Sequence, residues 1–201
     1  MNLGTVAAIR SGLVLSRKLS REISSYRYPL LNLRAIHPDG YILPDSLEVF
    51  YATELLRQEY LTQQGDIIIR LSIPYTAILI DTDMTGMVVS SNFAIIRLNQ
   101  KYMLPEYLLW LLNTPDIKRK IYESSSSNML SAVRPTFFAE LEVLLLPLAD
   151  QEKIAKLNLL AKQEIQLLKK LADEKERYYV AVIEHAQKNM RRKIHDDQKR
   201  Y

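Results

Sequence analysis

The final 54 residues of the chain, from Leu148 to Tyr201, contain neither glycine nor proline. From Ile154 onward, apolar side chains recur at steps of three and four, which is the period of one face of an α-helix. Because roughly forty residues at ~1.5 Å each make a helix of about 60 Å, a domain formed by the rest of the chain is too small to cover it. The apolar stripe therefore predicts a second helix as its partner. It consists of Ile154, Leu157, Ala161, Ile165, Leu168, Ala172, Tyr179 and Ile183.

The residues around Pro147 predict where this helix begins. Pro147 ends an apolar run, Asp150 is a suitable N-cap, and Glu152 lies in the first turn, where the helix dipole favours negative charge. We expect a domain over residues 1–149, the helix over 150–194 and a frayed tail over 195–201. Glu164 interrupts a strict heptad, so a nearly straight helix pair and a supercoiled pair are both open.

The composition is that of a globular protein, with 48% apolar and 25% charged residues. No apolar run approaches the ~18 residues of a membrane span, and the first residues lack the pattern of a signal peptide, so we expect a cytoplasmic protein without membrane contact. The sequence contains no cysteine, which excludes disulfides, thiolate catalysis and thiolate metal sites.

The positive charge is concentrated at the two ends of the chain. Residues 1–34 carry six Lys and Arg against one Glu, and residues 151–201 carry 13 Lys and Arg against 8 Asp and Glu. Such segregation is typical of a surface that binds a polyanion. A scatter of solvated surface charge explains the same numbers equally well.

The first 149 residues predict a compact, β-rich domain with short helices. Several short apolar segments recur at spacings of about ten residues, which favours a twisted antiparallel sheet or barrel. His-Pro-Asp-Gly at 37–40 predicts the turn of a hairpin. LPEYLLWLLN at 104–113 has helical spacing, and the apolar run ending at Pro147 is interpreted as a final strand. Together with the long helix, these patterns predict an α+β fold.

Catalytic patterns are absent from the sequence. It contains no GxGxxG, phosphate-binding loop, HExxH or GxSxG motif, and its three histidines share no metal-ligand spacing. Asp116, with Asp173, Glu174 and Lys175, has the residue types of a metal-dependent nuclease. Asp116 and the group at 173–175 are not expected to bind one metal together, because Asp116 follows a predicted helix and the other group lies in the middle of the long helix. We therefore expect a non-catalytic protein without a cofactor.

Four stretches carry a resemblance to a known family. They are LGTVAAIRSG at 3–12, GDIIIR at 65–70, VVSSNFAIIRL followed by LPEYLLWLLN at 88–113, and LEVLLLPLADQEKIAKL at 141–157. In this order they resemble one target-recognition domain and its helical spacer from the specificity subunit of type I restriction-modification systems. The run L-x-x-P-L-x-x-Q-x-x-I-A before a long helix is the most specific of these similarities.

The resemblance implies a function in DNA recognition. The family's subunit carries two recognition domains held apart by two antiparallel spacer helices, and each domain reads half of a split site in double-stranded DNA. That subunit is not catalytic; it recruits a methyltransferase subunit, which methylates adenine with S-adenosylmethionine, and a restriction subunit. The present sequence carries one domain and one spacer. A homodimer paired through the helix would supply the second set, and would read a palindromic, interrupted site. A truncated product and a half that pairs with a different half are the alternatives.

The DNA-contacting residues are predicted from chemistry alone, because no motif of the family identifies them. Arginine pairs bidentately with guanine or phosphate, lysine is a point charge for phosphate, and asparagine pairs with adenine. For each candidate, a solvated side chain without function is the alternative. Outside the DNA-binding hypothesis, a protein-interaction adaptor that uses only the long helix also fits the sequence. The candidates are Arg17, Lys18, Arg21, Arg27, Arg70, Asn92, Asn128 and Arg134.

Overall fold

The structure, a computed structural model, describes residues 1–126 and 132–198. The chain divides into two compact units, Met1–Ala155 and Lys156–Tyr201. The first unit combines two β-sheets with short helices, and a long helix forms the second, so the predicted α+β class is confirmed. The strands are β1 (Ala7–Ser11), β2 (Arg27–Leu31), β3 (Glu48–Tyr51), β4 (Ile67–Arg70), β5 (Ala77–Leu79), β6 (Val88–Val89) and β7 (Phe93–Leu98); the helices are α1 (Pro105–Leu112), α2 (Pro115–Ser126), α3 (Pro135–Glu140) and α4 (Leu148–Gln198).

The first sheet is antiparallel and has the strand order β1-β7-β4-β5. Its strand β4 is apolar at three consecutive positions because it is paired on both edges and covered on both faces. Ile67 and Ile69 pack into the cluster that includes α1 and α3, whereas Ile68 faces the opposite cluster. All three side chains are fully buried.

The second sheet has the order β3-β2-β6 and packs against the first. Leu31 of β2 and Val89 of β6 share one apolar cluster with Ile68 and Phe93 of the first sheet. Strand β2 is antiparallel to β3 but parallel to β6, so the predicted antiparallel pairing describes the first sheet but not all of the second. A two-residue period shows which face of a strand is apolar but not in which direction its neighbour runs.

A buried ion pair holds β4 and β7 together at one end. The carboxylate of Asp66 is fully buried and lies in bidentate contact with Arg97, with both Nε–Oδ1 and Nη2–Oδ2 at 2.7 Å. The backbone N–H of Gln63 donates to the same carboxylate at 2.8 Å. The hydrogen bonds that Arg97 donates to Asp66 raise the pKa of Arg97 above its usual value. The arrangement satisfies the charge that the fold places inside the domain.

Gln151 fastens the first turns of α4 within the first unit. Its side chain is fully buried, and its Oε1 accepts a hydrogen bond from the backbone N–H of Leu104 at 2.9 Å. Its Nε2 donates to the carbonyl oxygens of Tyr102 at 3.1 Å and Leu146 at 2.8 Å. One amide therefore joins the start of α4 to the segment that leads into α1. This contact explains why the motif has glutamine rather than an apolar residue at this position.

Three local expectations differ from the structure. The apolar run before Pro147 is not a strand: part of it forms α3, and the rest is irregular apart from a single bridge between Asn2 and Glu142. Helix α4 begins at Leu148, so Asp150 lies inside its first turn and is not the N-cap. The turn at 37–40 forms, with Gly40 at φ 88°, but only one bridge follows it, because β2 pairs with β3 instead.

The long helix ends later than the sequence suggests. Its backbone continues to Gln198, beyond the predicted end at residue 194. Residues 199–201 of the predicted tail lie outside the described residues. Across the described part of the chain, no helix is both long enough and apolar enough to cross a membrane.

Candidate nucleic-acid interface

A groove in the first unit collects many of the cations from the N-terminal part of the sequence. Its volume is about 670 Å³, and its walls come from the end of β1, the segment that follows it, and residues 54–60. Four cationic side chains line it against two acidic ones, with apolar side chains between them. The charged residues are Arg10, Arg17, Lys18, Arg57, Glu54 and Glu59, and the uncharged ones include Leu55, Leu56 and Tyr60.

Two ion pairs join the two walls of the groove, and a third lies within the wall formed by residues 54–60. Arg10 Nη1 lies 2.7 Å from Glu59 Oε2, and Arg57 Nη1 lies 3.5 Å from Glu59 Oε1. Lys18 Nζ donates a hydrogen bond to Glu54 Oε1. That hydrogen bond, together with the charge of Lys18, holds the pKa of Glu54 below its usual value. The groove is therefore cationic but partly neutralised.

Gly12 allows the close backbone approach that positions this wall of the groove. Its N–H donates to the carbonyl oxygen of Phe93 at 3.0 Å, and the N–H of Leu13 donates to that of Val89 at 2.7 Å. A Cβ atom at Gly12 would lie 2.2 Å from the carbonyl oxygen of Ser90, which no side chain tolerates. Only glycine therefore fits between β1 and the 3-10 turn at Leu15–Arg17.

A second group of predicted residues comes together around Leu71. The N–H of Leu71 donates to the carbonyl oxygen of Asn92 at 3.0 Å, and its carbonyl oxygen accepts from the N–H of Val133 at 2.9 Å. Arg70 directly precedes Leu71 in sequence, and Arg134 directly follows Val133. The structure thus places three predicted residues at one end of the first sheet, although they are far apart in the chain.

Arg70 has an unusual environment for a cation. Its Nε is buried and has no hydrogen-bond partner, and no ion pair of Arg70 occurs among the described residues. Burial lowers the pKa of its guanidinium below the usual value. A desolvated cation without a counter-ion favours an incoming anion or a carbonyl acceptor.

The remaining predicted residues occupy different places. Arg17 and Lys18 line the groove, whereas Arg21 and Arg27 are exposed and do not. Asn128 lies outside the described residues. Sequence reasoning missed Arg10 and Arg57 as groove residues, together with both glutamates that oppose them. The position of Arg10 at a strand end just before a glycine was a usable signal; no local pattern points to the glutamates.

The carboxylate proposed for a nuclease has a local partner. Asp116 is exposed and pairs with Arg119 at 2.9 Å, one turn along α2. Among the described side chains, no group of three or more His, Asp or Glu residues could hold a metal ion.

The second unit exposes a broad apolar surface along α4. Of the eight predicted stripe residues, Ile154 is partly buried against the core of the first unit, and the other seven are exposed. A second exposed row runs beside the stripe at steps of seven and four. At about 100° per residue, the two rows cover roughly 160° of the helix circumference. The second row consists of Leu160, Leu167, Leu171, Tyr178 and Val182.

Comparisons with known proteins find this architecture among solved structures. No protein-family model matches the chain, and no curated protein matches it either. Among solved structures, the HsdS subunit from Thermoanaerobacter tengcongensis is similar with a TM-score of 0.67 at 20% identity, over 87% of this chain and 44% of that chain.

Two further structures agree. A chain from a structure of the type I R-M system, described for its complex assembly and conformational transition, has a TM-score of 0.62 at 20% identity over 84% of this chain and 43% of its own. The S subunit of a type I restriction-modification system from M. genitalium has a TM-score of 0.53 at 14% identity, over 85% and 40%. The chain spans less than half the length of each of these proteins, and it has the fold of that part of a type I restriction-modification S subunit.

Proposed function

We propose that this chain is a DNA-reading specificity component of a type I restriction-modification system. The observation that carries the proposal is its fold, shared over 84–87% of its length with chains from type I systems. The cationic groove and the exposed apolar rows of α4 support it independently. In this role the first unit binds one half of a double-stranded DNA site, and the helix joins it to its partners.

DNA contact in this proposal involves two surfaces of the first unit. The groove around Arg17 and Lys18 takes the phosphate backbone, for which point charges and guanidinium forks are suited. Arg70 and Asn92, at the end of the first sheet, supply a guanidinium and an amide whose hydrogen-bonding groups complement those that guanine and adenine present in the major groove. The component carries no catalysis of its own and needs no cofactor.

The helix performs the assembly. The apolar surface of roughly 160° is wider than the seam of a two-stranded coiled coil, so it suits a helix with two neighbours. One neighbour is a second spacer helix, which a homodimer supplies in antiparallel orientation. The other belongs to the methyltransferase subunit, which methylates adenine, and a restriction subunit can join the same complex. Two-fold symmetry then requires a palindromic, interrupted target.

The decisive experiment is to map modified adenines in cells with and without the gene. Loss of one methylated motif on deletion, and its return with the wild-type gene, is the expected result. An unchanged set of methylated motifs, although a methyltransferase subunit is expressed, would contradict the proposal. Solution mass measured with Leu168→Asp tests the helix separately: the wild-type chain should pair and the variant should not.

Charge reversal tests the DNA-binding groove directly. Arg17→Glu and Lys18→Glu should weaken duplex binding and lower the slope of log affinity against log salt by about 1 for each lost phosphate contact. Lys120→Glu is the matched control, because Lys120 is an exposed cation on α2 away from the groove. Equal effects of all three reversals would indicate non-specific attraction. If the chain binds a partner protein but no DNA in any assay, it is an interaction adaptor.

A further inference from the structure

Two glutamates form ion pairs with cationic side chains that line the groove. Glu59 lies between two arginines, 2.7 Å from Arg10 and 3.5 Å from Arg57. Glu54 accepts a hydrogen bond from Lys18. Arg17 lies in the same groove and has no ion pair among the described side chains. Two of the four cations, Arg10 and Lys18, are thus held by close carboxylate contacts. A third, Arg57, pairs at longer range with Glu59, which it shares with Arg10.

These contacts compete with the phosphates of DNA. A carboxylate and a phosphate both present anionic oxygens to the same N–H donors, so each ion pair occupies donors that a backbone phosphate would use. The side chains of Arg10 and Glu59 are 41% and 33% exposed, so water screens this pair less than a fully exposed one. An approaching phosphate must therefore displace the carboxylate and also meets its repulsion.

We infer that Glu54 and Glu59 are specificity-determining residues, which withhold Lys18 and Arg10 from the phosphates of arbitrary DNA. The inference rests on the proposed function. A loosely held duplex makes few contacts and does not offset the loss of the ion pairs. A target duplex is held in place by base contacts, which keep its phosphates in the groove, and these contacts offset the loss of the ion pairs. The glutamates thus lower non-specific affinity more than target affinity, which is discrimination by an unfavourable element.

The test uses the full chain with Glu54→Gln, Glu59→Gln and the double variant. Glutamine keeps the shape of each side chain and removes only its charge. Affinity is measured between about 50 and 200 mM salt on a mixed-sequence duplex, and on a duplex enriched by the wild-type chain from a random library. Glu140→Gln is the matched control, since Glu140 is an exposed acid at the end of α3 that does not line the groove. Thermal unfolding shows whether each variant is folded.

Each glutamate variant should bind the mixed-sequence duplex about two- to fivefold more tightly, with the slope of log affinity against log salt steeper by about 0.9 for each freed cation. Affinity for the enriched duplex should rise less, so the ratio of target to non-specific affinity should fall. If Glu54→Gln and Glu59→Gln bind the mixed-sequence duplex no more tightly than Glu140→Gln does, or more weakly, the inference is overturned and the proposed function is not. Absence of duplex binding by the wild type and by all variants would overturn the proposed function and the inference together.

Discussion

Replacing Gln151 by leucine should remove the side-chain hydrogen bonds that hold the start of α4 within the first unit, without leaving a large cavity. The two side chains are similar in volume, so the cost comes from polar groups rather than from packing. The substitution leaves the N–H of Leu104 and the carbonyl oxygens of Tyr102 and Leu146, which are partly buried, without the partner that the fully buried Gln151 side chain provides. At about 1–3 kcal/mol for one buried unsatisfied group, and less for a group that water can reach, the free energy of unfolding should fall by about 1–3 kcal/mol.

This loss is a large part of the ~5–15 kcal/mol that stabilises a typical domain. Urea unfolding followed by tryptophan fluorescence measures it, because Trp110 is the single tryptophan and lies in α1, directly after the segment that Gln151 holds. The signal therefore reports on the first unit rather than on the rest of α4. Gln163→Leu is the matched control, as Gln163 is exposed on the same helix.

Gln151→Glu adds a pH dependence whose sign follows from the site. An ionised carboxylate there would face two carbonyl oxygens in a buried place, so its folded-state pKa should be raised above the ~4.3 of the unfolded chain. The variant should be most stable below about pH 4.3 and lose up to about 1.4 kcal/mol per pH unit above it, until the folded pKa is reached. Gln163→Glu should show no such slope. If Gln151→Leu unfolds within about 0.5 kcal/mol of wild type, the amide does not hold the helix start.

Three other substitutions test the first unit. Gly12→Ala would place a methyl group against neighbouring carbonyl oxygens, so it should cost about 1–3 kcal/mol in urea unfolding and weaken DNA binding, and an unchanged midpoint would contradict the close approach. Arg97→Met leaves the buried carboxylate of Asp66 without its partner and should cost about 3–5 kcal/mol, whereas the double variant with Asp66→Leu should recover much of this loss. Burial raises the pKa of Tyr107, so the stability it contributes is present below about pH 10 and is lost as pH rises above it; Tyr107→Phe should reduce this alkaline loss in a pH series of unfolding curves.

Local sequence patterns were sufficient for several elements of this protein. The long helix follows from the spacing of its apolar residues and the absence of helix breakers, since both act within a few turns. Helix α1 begins at a proline suited to a first turn, and the segments at 67–70 and 77–79 are strands, as short apolar runs indicate. The second apolar row of α4 is also present in the sequence, beside the predicted stripe.

The candidate site depended far more on the tertiary structure. Lys18 meets Glu54 across 36 positions of sequence, and Arg10 meets Glu59 across 49, distances at which no local pattern operates. The positive charge of residues 1–34 was identifiable from composition, but its partial neutralisation by Glu54 and Glu59 was not. The burial of Arg70 Nε without a hydrogen-bond partner among the described residues is likewise visible only in the tertiary structure.

The sequence by itself determined that α1 and α4 are helical, which segments are apolar, and that a long apolar helix face needs partners, because helix formation and amphipathicity are set by near neighbours. Only the tertiary structure decided that β6 pairs parallel to β2, that the run before Pro147 is not a strand, and that Gln151 is buried. Those outcomes depend on which distant backbone groups and charges meet, and folding alone brings them together.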